Sequence, residues 1–108
     1  MDKRKRYAVV GTGGRIIIYI DGIIDTFKDY AQLVGLCDPS HVRMDWHNRR
    51  INELHNVPAV PTYHADRFDE MILQAKPDVV IVASTDCTHH KYIIRAMELG
   101  CDVICENR

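Results

Sequence analysis

The apolar run Tyr7-Ala8-Val9-Val10 leads directly into Gly11-Thr12-Gly13-Gly14-Arg15, and this junction constrains the fold more than any other part of the chain. The run has strand character, and closely spaced glycines behind it allow a turn too tight for residues that carry a Cβ. If a helix follows, its unpaired N-terminal amides gather at the turn, where they favour an anion. The first glycine then serves the turn, and the second lets the backbone approach a phosphate closely. A third glycine, three positions further on, would let the helix pack tightly on its strand. The chain has Ile16 there, followed by Ile17 and Ile18.

Strand-like apolar runs recur at 7–10, 32–37, 79–83 and 103–105, with helical periodicity at 14–27, 40–56, 66–75 and 88–99. Such alternation predicts an α/β fold, a doubly wound parallel sheet covered on both faces. Val79-Val80-Ile81-Val82-Ala83 has the unbroken β-branched character of a central strand, whereas 60–64, flanked by prolines, reads as a short edge strand. Right-handed crossovers then give a Rossmann-like order 3-2-1-4-5, with the ligand crevice between strands one and four at their C-terminal ends. Ser40 is expected to cap the second helix, Asp86 or Thr88 to start the fourth, and Gly100 to close it.

At 108 residues the expectation is one domain, 1–108, that stops before the sixth strand of a full dinucleotide fold. A net charge of -1 gives no electrostatic case for nucleic acid, and no apolar run approaches the roughly 20 residues of a membrane helix. A cytoplasmic protein is expected. The basic start Asp2-Lys3-Arg4-Lys5-Arg6 reads as a solubilising lead-in. Cys37, Cys87, Cys101 and Cys105 lack C-x-x-C spacing and read as reduced thiols, Cys37 and Cys105 as small buried hydrophobes within strands. Adjacent His89 and His90 point about 100° apart on a helix, a poor arrangement for sharing a metal, so no metal site is expected.

Leu33-Val34-Gly35-Leu36-Cys37 ends in Asp38, where a carboxylate can accept hydrogen bonds from an adenosine ribose and repel a 2′-phosphate. This favours NAD over NADP. Asp38 equally suits the Asp38-Pro39-Ser40 turn into a helix, and the two roles are compatible. Arg15 can reach a phosphate or stand as a solvated charge on the first turn. Ser84 and Thr85, with Asp86 and Thr88, either line the crevice or cap the fourth helix.

On the first helix, Ile16, Ile17, Ile20, Ile23, Ile24 and Phe27 form one stripe expected to bury. Ile18 and Tyr19 lie outside it, and Gly22 faces outward one turn from Ile18. A mid-helix glycine costs roughly 1 kcal/mol against alanine, so this face suggests either scattered surface apolarity or a contact between subunits.

Together these segments resemble the N-terminal domain of the Gfo/Idh/MocA oxidoreductases, over nearly the whole chain. The family's G-x-G turn is matched by Gly11-Thr12-Gly13 and its post-β2 acid by Asp38. Its T-P-N-x-x-H pattern is matched loosely by Thr85-Asp86-Cys87-Thr88-His89-His90, so His90 takes the motif histidine. Ala96 to Arg108 follows A-x-x-x-G-x-x-V-x-x-E-K-P, with Glu106 as its acid and Asn107 in place of the lysine. The residue reading and the resemblance together give a dinucleotide site using Gly11, Thr12, Gly13, Gly14, Arg15, Asp38, Ser84, Thr85, His90 and Glu106. The lysine it lacks assists proton transfer in the family, and an amide does not take up a proton at neutral pH. The expectation is an isolated NAD-binding domain, cut from a dehydrogenase of sugars or cyclitols and itself inactive. The alternative is a self-associating scaffold, natural or engineered, that forms a symmetric homo-oligomer through Ile18, Tyr19 and Gly22.

Overall fold

The apolar runs pair into a single parallel sheet. β1 (Lys5–Val10), β2 (Ala31–Asp38), β3 (Thr62–His64), β4 (Val79–Val82) and β5 (Asp102–Cys105) stand in the order β3-β2-β1-β4-β5. The computed structural model describes residues 3–83 and 86–105. Each expected strand is found with its ends displaced by no more than one or two residues, and the sheet has the expected doubly wound order.

Side-chain alternation along the strands divides the interior into two layers. Ala8, Val10, Val80 and Val82 pack with Phe68, Met71 and Ile72 of α3 (Phe68–Ala75) and with Tyr92 and Ala96 of α4 (Asp86–Glu98). Val9, Leu36 and Ile81 pack on the other face with Ile16, Ile20 and Ile23, and with Met44 and Ile51 of α2 (His41–His55). β2 carries a bulge: Tyr7 pairs with Leu33 but Ala8 with Gly35, leaving Val34 as the extra residue. A Cβ on Gly35 would lie 3.2 Å from Met71 Sδ, so the glycine lets α3 settle close to the sheet.

The caps follow the sequence. Ser40 Oγ accepts the Arg43 N–H at 3.3 Å, and Gly100 ends the fourth helical segment at φ 90°. α4 begins at Asp86, two residues earlier than the periodicity suggests. Arg6 donates from its guanidinium to the Ala75 carbonyl at 2.6 Å, so the basic lead-in also satisfies an orphan carbonyl at the end of α3.

The first helix departs from expectation. Instead of one helix over 14–27, a 3₁₀ turn (Gly14–Ile16) precedes α1 (Ile17–Asp21), and a π turn (Gly22–Thr26) follows. Phe27 N–H donates to the Gly22 carbonyl at 2.8 Å, an i→i+5 bond. This wider turn breaks the 3.6-residue period, and Phe27 leaves the buried stripe to stand 57% exposed. Ile16, Ile20 and Ile23 are buried as expected, while Ile17 and Ile24 are half-buried. Cys105 is also exposed rather than buried, because β5 is an edge strand with little cover.

Candidate functional site

Among the described residues, the buried polar side chains are Thr12, Asp38 and His47, and all three meet at the turn after β1. Gly11 opens that turn at φ 89°, a conformation L side chains rarely adopt, and its N–H donates to the Cys37 carbonyl at 2.8 Å. The Thr12 N–H donates to Asp38 Oδ1 at 2.8 Å, and the Ser40 N–H donates to Asp38 Oδ2 at 2.6 Å. One carboxylate thus ties the end of β2 to the turn after β1 and to the entry of α2. These are charge-assisted bonds at a buried site, the strong kind.

The opposite side of Thr12 is held by α2. His47 lies on its buried face with Met44 and Ile51, and His47 Nε2 is 2.8 Å from the Thr12 carbonyl. A carbonyl only accepts, so Nε2 carries the proton. Burial, the largest influence, pushes this imidazole below its ordinary pKa, and the neutral ring then leaves Nδ1 as an acceptor. Buried Nδ1 has no partner among the described residues, and neither has Thr12 Oγ1. The Trp46 ring stands edge-on to the imidazole, centroids 4.9 Å apart.

Beyond this clamp the backbone is open. Among the described residues, a Cβ added at Gly13 or Gly14 would meet nothing within 4 Å, and no side chain caps the helical turn that starts there. Thr12, Gly13, Gly14, Arg43, Trp46 and His47 line a cavity of about 300 Å³. Ile16 is 1% exposed and packs into the interior with Val9, Ile20 and Ile81, so its bulk goes beneath the turn and not into that cavity. Arg15 is exposed on the 3₁₀ turn.

The structure therefore brings together Gly11, Thr12, Gly13, Gly14 and Asp38. His90 is exposed on α4, while Ser84, Thr85 and Glu106 lie outside the described residues. Sequence reasoning missed Arg43, Trp46 and His47. The signal for His47 was a histidine within the apolar stripe Met44, His47, Ile51 of a helix that otherwise buries little. Among the described residues no group of His, Cys, Asp and Glu could hold a metal ion, and no helix is long and apolar enough to cross a membrane. Cys37 is buried and its thiol is pushed up to about 12, mainly by burial and further by the Asp38 charge, so it is chemically inert.

Residues 5–107 match the model of the oxidoreductase family with an NAD-binding Rossmann fold, Gfo/Idh/MocA. The chain belongs to this family. It is 47% identical over 104 residues to D-glucoside 3-dehydrogenase of Escherichia coli K12, covering 94% of this chain and 26% of that protein. Among solved structures it is similar to the WlbA dehydrogenase of Chromobacterium violaceum in complex with NADH and UDP-GlcNAcA, at 26% identity and a TM-score of 0.76, over 99% of this chain and 28% of that one. It is likewise similar to myo-inositol 2-dehydrogenase of Lactobacillus plantarum, at 25% identity and a TM-score of 0.76, over 97% of this chain and 28% of that one. The chain spans 20% and 26% of the length of the curated relatives it matches.

Proposed function

We propose that residues 1–108 form one dinucleotide-binding unit and that NAD binds where β1 runs into the first helical turn. The observation that carries this reading is Thr12, held at its N–H by Asp38 and at its carbonyl by His47, beside two glycines with open space above them. A pyrophosphate needs close, donor-rich, side-chain-free backbone, and the Gly13–Gly14 stretch fits it. The open Gly13 and Gly14 amides would hold the phosphates, Gly11 and Thr12 shaping the turn that presents them, with Arg15 as a screening cation. Asp38 would face the adenosine ribose. Each of its oxygens already accepts one amide, and each keeps a further lone pair. Its charge disfavours a 2′-phosphate, so NAD is preferred to NADP. Ser84, Thr85, His90 and Glu106 are assigned to the same site on their motif positions alone.

Bound NAD supplies a hydride acceptor, and in the family that chemistry acts on sugar or cyclitol hydroxyl carbons. With Asn107 in place of the motif lysine, this chain is assigned nucleotide binding and not hydride transfer. We assign it to the cytoplasm, a reading supported by the buried free thiols of Cys37 and Cys101. Calorimetric titration tests the proposal: saturable NAD binding with weaker NADP binding is expected, and no heat with either would overturn it.

A second reading, self-association, is favoured by one observation. Ile18 is 79% exposed and, with Tyr19, Gly22, Tyr30 and Ile104, lines an apolar groove of about 450 Å³. Sedimentation equilibrium should give a dimer that Ile18→Lys dissociates. A monomer at high concentration excludes it.

A further inference from the structure

We propose that His47 is a positioning residue for the dinucleotide, fixing the Thr12–Gly13 peptide so that the Gly13 N–H faces the phosphates; this rests on the NAD reading above. The described chain contains no cis peptide, so the carbonyl and the N–H of that peptide point in opposite directions. His47 Nε2 holds the Thr12 carbonyl at 2.8 Å, and the Gly13 N–H is thereby turned away from that nitrogen. Among the described residues that N–H has no acceptor.

Without this bond the peptide is poorly restrained from one side. Gly13 sits at φ -68° with open space around it, and glycine also tolerates positive φ, so a flip of the peptide meets no steric penalty at that residue. The property that admits a phosphate is the one that lets the donor turn away. Asp38 grips the preceding amide, the Thr12 N–H, and leaves the 12–13 plane to His47.

The unpartnered Nδ1 supports the assignment. Burying an acceptor without a donor is costly, and a leucine on the Met44–Ile51 face would avoid that cost. What leucine lacks is the donor for Thr12. A histidine at this place is thus explained by its bond to the turn, and not by packing.

The test uses the 108-residue protein with NAD as probe, in wild type, His47→Gln and His47→Leu. Glutamine keeps an N–H donor and should bind NAD within about twofold of wild type, whereas leucine should weaken binding by about tenfold. In the ligand-free protein, the Gly13 amide resonance should move or broaden in His47→Leu and stay in place in His47→Gln. The wild-type imidazole should carry its proton on Nε2. Wild-type NAD affinity in His47→Leu, an unmoved Gly13 resonance, or a proton on Nδ1 would each overturn the proposal. If the NAD reading alone fails, NAD leaves every wild-type amide unshifted while the Gly13 resonance still responds to the leucine variant.

Discussion

The carboxylate of Asp38 holds the backbone N–H of Thr12 at 2.8 Å, across 26 residues of chain and with both groups buried. Its second oxygen holds the Ser40 amide, so the loops after β1 and β2 are stitched through one side chain. Asp38→Asn keeps the shape but turns an NH₂ donor against one of two amide donors. A loss of about 2 kcal/mol is expected in urea denaturation. Unchanged stability would mean that the two bonds contribute nothing net.

Gly13→Ala separates folding from binding. The new Cβ meets nothing within 4 Å among the described residues and φ is negative, so the thermal midpoint should remain within a few degrees of wild type. The same methyl enters the space assigned to the phosphates, and NAD affinity should fall by about tenfold or more. Equal affinity would remove Gly13 from the site.

Gly11→Ala has the opposite signature. At φ 89° an alanine is strained, and a loss of about 1–2 kcal/mol is expected from denaturation with or without NAD. A stability equal to wild type would show that the turn relaxes freely.

Acid should lower the stability of the protein in two windows of pH. His47 titrates below its ordinary value because burial penalises the imidazolium, opposed by the Thr12 carbonyl bond, reinforced by the Arg50 charge and opposed by Asp38. The unfolded chain therefore takes up that proton first, and the stability from neutral His47 is complete above about pH 6.5 and lost as pH falls toward the folded value. Asp21 is also held below its ordinary 3.8, chiefly by Arg50, which donates to its two oxygens at 2.7 and 2.9 Å, and further by His55. Its contribution is complete above the unfolded value and is lost as pH falls below it. Stability measured from pH 8 to 3 should show both declines. His47→Leu should abolish the upper one and Asp21→Asn should reduce the lower, to which Asp69, held down by its bond to Arg95, also contributes; identical profiles in the variants would contradict these assignments.

The sheet was legible because its determinants are local. An unbroken β-branched run such as Val79–Val82 specifies a buried strand, and Gly11 announces a turn that only glycine makes easily. Asp38 could be read in both of its sequence roles, and the turn role is visible in its bond to Ser40. The first helix was less legible. A stripe counted at 100° per residue assumes one pitch throughout, and the change to i→i+5 bonding at Gly22 displaced Phe27. His47 was overlooked for a different reason: its partner, Thr12, lies 35 residues away, and no spacing rule relates a histidine on one helix to a carbonyl in another loop. Arg43 and Trp46 became part of the cavity wall by the same long-range docking of α2 against the turn.

Amide chemical-shift mapping during NAD titration bears most directly on whether this turn holds a dinucleotide. Binding at this turn predicts saturable shifts at Gly13 and Gly14, whose amides are open, with smaller movements at Gly11, Thr12 and Asp38, which shape the turn, and almost none on the distant face of α3. A spectrum unchanged at Gly11 to Gly14 at millimolar NAD, or shifts confined to other parts of the chain, would contradict it.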